Sequence, residues 1–230
     1  MSPRGIFQSH RKVIQVKRPE IATFVLSDFQ TNCFVVSTPG DTDCWIVDCG
    51  FEPGEMLDYL AEKGLKPIAL LLTHAHSDHI AGVDAALSRF GAMPIYIHEA
   101  EAGFCSDPML NLSSFMGMEL RVTEPDHQVG DGDTLSLNGT DWRVVHAPGH
   151  SPGGVLFVHD ESSQAIVGDT LFAGGIGRFD FPTSNVKDLR RTISEVLMSL
   201  PDEMTIHPGH GPSTTIGDER RTNPYVVQGF

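Results

Sequence analysis

The stretch LLLTHAHSDHIAG, Leu70 to Gly82, decides the fold. An apolar run leads into it, and three histidines and an aspartate follow within six positions: His74, His76, Asp78 and His79. In an extended segment, residues i and i+2 project to the same side, so His74 and His76 aim both imidazoles at one point. A helix beginning near Ser77 or Asp78 turns each next residue by about 100°. Asp78 and His79 then face a second point, and one short segment can serve two metal ions side by side. Oxygen and nitrogen donors without thiolate suit zinc, iron or manganese. A lone histidine at a strand end is ordinarily a surface or hydrogen-bonded residue. Three of them beside an aspartate at a strand-to-helix junction match the spacing of metal ligands.

The flanking sequence supplies the frame. Upstream, Val13–Val16, Thr23–Leu26, Cys33–Ser37 and Cys44–Val47 read as short strands, with turns at Asp28–Asn32 and Pro39–Asp43. Gly54–Lys63 reads as a helix with Met56, Leu57 and Leu60 on one face and Gly64 as its stop. Ile68–Leu72 is continuously apolar, as expected of a strand buried on both faces. A second helix is expected over Ile80–Phe90 and a short strand over Ile95–Ile97, whereas 100–130 lacks periodicity and reads as a loop covering a site. Strands resume at Thr134–Leu137, Trp142–His146, Val155–His159 and Ala165–Val167. The longest helix is expected over Val186–Leu200, followed by a strand at Met204–His207 and a short helix at Ile216–Thr222 that Asn223-Pro224 breaks. Strands with helices outside, given twice, predict two mixed sheets packed face to face and flanked by helices, an α/β (αββα) sandwich. No shift in composition marks a linker, so residues 1–230 are expected to form a single domain.

Three further polar residues sit where strands leave the core. His150 lies in HAPGHSP (146–152), Asp169 in AIVGDTLF (165–172) and His210 in HPGHGP (207–212). The two Pro-Gly-His segments form a weak internal repeat, as two half-domains converging on one site would leave. Each residue alone is more often a cap or a turn than a ligand. Their shared position, at the ends of strands where open α/β sheets present ligands, is what counts.

Composition narrows the function. The 230 residues carry 16 Lys plus Arg against 30 Asp plus Glu, a net charge of -14 that repels polyanions, so nucleic acid is not an expected partner. No apolar run approaches the roughly 20 residues of a membrane span, and the basic, polar N-terminus lacks the apolar region of a secretory signal. The expected location is the cytoplasm, with no membrane partner. Cys33, Cys44, Cys49 and Cys105 form no C-x-x-C pair and read as buried thiols of a reducing compartment.

The His-x-His-x-Asp-His stretch, the two Pro-Gly-His segments and the Gly-Asp segment, in this order between Asp48 and His210, resemble the metallo-β-lactamase-fold hydrolase superfamily. GDTLFAGGIGRFDFP (168–182) and GHGPSTTIGDERRTNP (209–224) are most similar to its glyoxalase II-like branch, the hydroxyacylglutathione hydrolases. The resemblance implies two divalent metal ions, zinc first, with iron or manganese as alternatives. His74, His76 and His150 would hold one, Asp78, His79 and His210 the other, and Asp169 would bridge them. Asp48 would orient a ligand histidine from behind; without the resemblance it reads as a turn former at a strand edge. The implied reaction is hydrolysis of a small thioester such as S-lactoylglutathione by a hydroxide held between the metals, with Asp78 also orienting that hydroxide.

Other readings stay open at this level. A persulfide dioxygenase with a single iron shares the His-x-His-x-Asp-His stretch, a lactonase shares the fold, and a non-enzymatic metal-binding module would fill every ligand position with protein. A β-lactamase fits less well, because Asp169 supplies a carboxylate those enzymes lack. Ser151 lacks the strand-turn-helix elbow of a serine nucleophile and reads as structural. Arg178 is a candidate for meeting a substrate carboxylate, and equally a surface residue paired to Asp180. The sequence ends twenty residues after His210, whereas larger members of the branch continue into helices that help bind glutathione, so the expected grip on glutathione is modest.

Overall fold

The computed structural model describes residues 18–230. The strand expected at Val13–Val16, and His10, lie outside the described residues. The first sheet runs β1 (Glu20–Leu26), β2 (Thr31–Ser37), β3 (Asp43–Val47), β4 (Lys66–Leu71), β5 (Ile95–His98) and β6 (His127–Val129) in spatial order, antiparallel as far as β3 and parallel from there. The second sheet contains β7 (Thr134–Leu137), β8 (Thr140–His146), β9 (Val155–His159), β10 (Gln164–Gly168), β13 (Thr205–Pro208) and β14 (Thr214–Thr215). Its order is β14-β13-β10-β9-β8-β7, and β10 pairs parallel with β13. β11 (Leu171–Phe172) and β12 (Gly175–Ile176) form a small separate hairpin.

Period-2 alternation explains the sandwich. Along β2 and β3, Phe34, Val36, Trp45 and Val47 face the second sheet, where they meet Trp142, Val144, Val155 and Phe157 in one buried cluster. The Trp45 and Trp142 rings meet edge to face at 6.3 Å across this interface. The alternate residues Cys33, Val35, Cys44 and Ile46 turn outward onto α1 (Gly54–Lys63) and α3 (Val83–Phe90), with Met56, Leu57, Leu60, Val83 and Ala86 in the same cluster. On the other side Leu156, Val158, Ala165 and Val167 pack beneath α4 (Val186–Arg191) and α5 (Ile216–Thr222), contacting Leu189, Ile193 and Ile216. Strands buried on both faces read as unbroken apolar runs, and Ile68–Leu72 did so for this reason. The two sheets with flanking helices form the αββα arrangement.

Two expected helices are less regular than their periodicity. The helix expected over Ile80–Phe90 starts earlier and is split into α2 (Ser77–Ile80) and α3, separated by Ala81 and Gly82. Gly82 donates its N–H to the Cys49 carbonyl at 2.7 Å, and a Cβ there would stand 2.5 Å from the Gly50 oxygen. The break lets the chain press against the loop after β3. The run expected over Val186–Leu200 is helical from Val186 to Ser199, with Leu200 extended, and widens into a π-type turn at Thr192–Val196, where the Thr192 hydroxyl donates to the Pro148 carbonyl at 2.8 Å. Asn223 ends α5 and caps a further short helix, α6 (Pro224–Val227). No helix among the described residues is long and apolar enough to cross a membrane.

Candidate metal centre

The site lies along the edge where strands of both sheets end. Asp48 follows β3 and His74 follows β4, which are parallel neighbours; His150, Asp169 and His210 follow β8, β10 and β13, which share one direction in the second sheet. His74, His76, Asp78, His79, His150, Asp169 and His210 all meet there. In each of three sets, His74/His76/His150, His74/His79/Asp169 and Asp78/His79/His210, one ligand atom per residue lies within 4.8 Å of the others. Asp169 stands between the outer two, with Oδ2 3.6 Å from His150 Nε2 and 3.5 Å from His210 Nε2, and Oδ1 3.4 Å from His79 Nε2. The close approach depends on Gly209, where a Cβ would fall 2.1 Å from Asp169 Oδ1.

The hydrogen bonds behind the rings select which nitrogen faces inward. His79 Nδ1 donates to Asp48 Oδ2 at 2.8 Å, His150 Nδ1 to the Arg178 carbonyl at 2.8 Å, and His210 Nδ1 to the Gln30 carbonyl at 3.2 Å. The Thr73 hydroxyl donates to Asp48 Oδ2 at 2.7 Å and so accepts from His74 Nδ1 at 3.1 Å. These four rings therefore turn Nε2 toward the cluster. His76 presents Nδ1, 2.9 Å from His150 Nε2. Asp48 is fully buried with a left-handed backbone at φ 57°, and its Oδ1 also accepts the Thr73 N–H at 2.8 Å. It is both the turn at the strand end and the group that orients His79.

Charge and burial divide the site. Burial, then neighbouring imidazoles, holds His74 well below the usual histidine range; burial does the same to His76 and also lowers His150. Neutral imidazole is the form that ligates a metal. Burial would also lower His79, but Asp78, Asp169 and Asp48 together raise it well above that range. Burial would raise Asp78 and Asp169, yet the His79 charge beside them carries both below the usual carboxylate range. His74 Nε2, His76 Nε2, His79 Nε2 and Asp169 Oδ1 are buried without a hydrogen-bond partner. An unpartnered buried polar atom costs about 1–3 kcal/mol. His74 Nε2, His79 Nε2 and Asp169 Oδ1 converge on one small volume beside the inward Nδ1 of His76, and with the carboxylates held ionised this set fits divalent cations.

Several contributors were not legible in the sequence. Glu101, fully buried in the stretch read as an irregular loop, accepts the Ala75 N–H at 2.6 Å and the Gly153 N–H at 2.8 Å. It ties the His74–His76 segment to the turn after His150, and burial raises its carboxyl above the usual range. Thr31 donates its hydroxyl to Asp78 Oδ2 at 3.0 Å, and Asn32 Nδ2 donates to the Pro208 and Gly211 carbonyls at 2.8 and 2.7 Å. None of these has a ligand-like spacing: Glu101 and Asn32 act through the backbone of other segments, and Thr31 reaches a carboxylate 47 positions away. Phe181 packs its ring edge to face on His76 and His150, at 5.5 and 5.8 Å. Arg178 sits on the rim, its guanidinium engaged by both Asp180 oxygens at 2.9 Å and stacked 4.2 Å over Phe181. A cavity of about 680 Å³ opens over the cluster, and Leu112, Phe115 and Met116 of the 100–130 stretch form part of its wall. That stretch reads from sequence as a site-covering loop; it also holds β6, whose three residues are too few to show alternation.

Comparison with known proteins agrees with this geometry. The family model described as the metallo-beta-lactamase superfamily matches residues 26–212. The "Probable metallo-hydrolase YqgX" of Bacillus subtilis (strain 168) is 38% identical over 188 residues, covering 81% of this chain and 88% of that protein. Hydroxyacylglutathione hydrolase GloC of Haemophilus influenzae is 34% identical over 200 residues, covering 86% and 93%. Among solved structures, BLEG-1 B3 metallo-beta-lactamase superposes with a TM-score of 0.86 at 34% identity, over 90% of this chain and 100% of that chain. TTHA1623 in a di-iron-bound form superposes with a TM-score of 0.79 at 36% identity, over 89% and 99%.

Proposed function

The chain belongs to the metallo-β-lactamase superfamily of metallo-hydrolases, and from that premise we propose that it hydrolyses small thioesters, with S-lactoylglutathione as the first substrate to test. The observation that carries the proposal is the convergence of buried, unpartnered nitrogens and a carboxylate oxygen beside an open cavity. In this reading His74, His76 and His150 would hold one divalent ion, Asp78, His79 and His210 would hold a second, and Asp169 would serve both sets. Divalent ions bound there supply an acidified water as nucleophile and an electrophilic partner for the thioester carbonyl oxygen. Zinc is the first choice for this donor set, and the di-iron form of TTHA1623 supports iron as the alternative.

The chain's own residues set the conditions. Asp78, kept below the usual carboxylate range and lining the cavity, stays ionised as a hydrogen-bond acceptor able to orient an attacking water. Asp48 and Thr73 lock His79 and His74 from behind. Phe181 shields His76 and His150 on the substrate side. A thioester has a good leaving thiolate, so no serine or cysteine nucleophile is needed, and Cys33 and Cys49 are buried with thiols pushed up by that burial. GloC, a hydroxyacylglutathione hydrolase, supports the thioester assignment.

The experiment follows thiol release from S-lactoylglutathione by metal-replete protein, beside oxygen consumption with glutathione persulfide. Thiol release without oxygen uptake is the expected result. Oxygen uptake without thiol release would move the protein to the dioxygenase reading, and turnover of a lactone alone would sink the thioester assignment while sparing the metal site.

A further inference from the structure

The cavity over the metal centre is walled mainly by apolar side chains drawn from separate segments. Phe29 comes from the β1–β2 turn, Phe115 and Met116 from the turn at Ser113–Met116, Phe172 from β11, and Phe181 from the segment before α4. Phe29 stacks on Phe51 at 5.2 Å and is still 41% exposed; Phe115 and Met116 are 61% and 40% exposed. Large apolar side chains left open around one concave volume mark a ligand surface. Phe172 flanks the His210 end at 6.0 Å and Phe181 the His76 end, so the apolar wall continues down to the metal cluster. At about 680 Å³ the cavity is the size of a small-ligand pocket.

Charge on this wall argues against a doubly carboxylated thiol. Glutathione presents two carboxylates, which a binding site ordinarily meets with Lys or Arg. Arg178 is the one Lys or Arg among the described residues lining the cavity, and Asp180 already holds it through two hydrogen bonds. Resting on the thioester reading above, we propose that this cleft selects a thioester with an apolar arm laid against Phe29, Phe115, Met116 and Phe172, in preference to a glutathione conjugate. A buried methylene strengthens binding about fourfold; an arm only partly enclosed gains less per carbon.

The test compares kcat/KM of the metal-replete full chain on three sets of thioesters. The first is acyl-N-acetylcysteamine from acetyl to hexanoyl, the second is lactoyl esters of ethanethiol and hexanethiol, and the third is S-lactoylglutathione. A rise of at least about tenfold with chain length in either series, with S-lactoylglutathione below the longest member, is expected. The double variant Phe115→Ser, Met116→Ser, at exposed positions the fold does not need, should lower the long-chain rate at least about fivefold more than the acetyl rate. Flat dependence in both series, or S-lactoylglutathione preferred over every member, would overturn the inference while leaving the thioester reading intact. Calorimetry with uncleavable thioethers separates the two further. If no thioester is cleaved, yet S-hexyl-N-acetylcysteamine binds at least about tenfold tighter than its S-methyl counterpart and tighter than S-hexylglutathione, the apolar cleft stands and the hydrolytic reading falls. Equal binding of the three thioethers would overturn the cleft itself.

Discussion

The two Pro-Gly-His segments look alike in sequence and are held differently. His150, in the first, is nearly buried, with Nδ1 donating to the Arg178 carbonyl at 2.8 Å and its own carbonyl accepting the Ser184 hydroxyl at 2.6 Å. All of these contacts lie within the second half of the chain. His210, in the second, keeps 28% of its side chain exposed and donates at 3.2 Å to the Gln30 carbonyl, in the β1–β2 turn of the opposite sheet. Thr31 bridges to His210, and Asn32 clamps the backbone on either side of it. One histidine is anchored locally in a dry wall, and the other is held across the sandwich by a hairpin. The same short sequence therefore gives one rigid and one looser ligand position, and the metal set built on His210 is expected to release its ion first.

Asp169 joins the two ends, so its loss should have the largest effect. Asp169→Ala is expected to remove bound metal and lower turnover by at least about 10³-fold, whereas Asp160→Ala, at a surface carboxylate paired with Arg143, should do neither. Elemental analysis with a thiol-release assay reads both; metal retention and normal turnover in Asp169→Ala would break the account of the shared carboxylate.

Glu101→Gln probes the rigid side. An amide presents one acceptor oxygen where the carboxylate serves two backbone N–H groups, so about 1–3 kcal/mol of stability should go with it. Metal affinity should fall about 10- to 100-fold, as for other groups that hold ligands in place. Denaturant unfolding and chelator competition check the two parts. Asn32→Ala probes the looser side, and should raise the rate at which a limiting chelator removes one equivalent of metal by about tenfold while leaving the other unchanged. Equal acceleration of both ions would erase the proposed difference between the segments.

The smallest effect concerns His207, the histidine that opens the second segment. Burial lowers it to about 4, with its ring between Gln164 Oε1 and the Ser213 hydroxyl. A histidine kept neutral in the fold binds its proton more readily when unfolded. Its contribution is therefore complete above about pH 6.5 and is lost as pH falls toward about 4, to a total of roughly 3 kcal/mol. Denaturant unfolding in chelator should show that loss in the wild type and a correspondingly shallower pH dependence in His207→Gln. Identical profiles would remove His207 from the acid response.

Much of the site was legible because its ligand candidates carry their geometry in local spacing. His74 and His76 alternate on an extended segment, Asp78 and His79 turn with a helix, and His150, Asp169 and His210 each follow an apolar strand. The sandwich was legible for the same reason, since strands buried on both faces are apolar throughout. What escaped depends on distant backbone. Glu101 and Asn32 hydrogen-bond to main-chain groups of other segments, and no spacing reports that. The break at Gly82 arises from the approach of the loop after β3, and the wide turn at Thr192 accompanies a contact with Pro148. Arg178 could be read either as a carboxylate partner or as a surface pair, and only its neighbours in space show Asp180 occupying it.

The central claim, two metal sets of unequal hold, is tested most directly by counting ions per chain in protein purified without chelators, for the wild type and for His210→Ala. The account predicts about two ions in the wild type and about one in the variant. A single ion in both, or loss of every ion on removing His210, would contradict it.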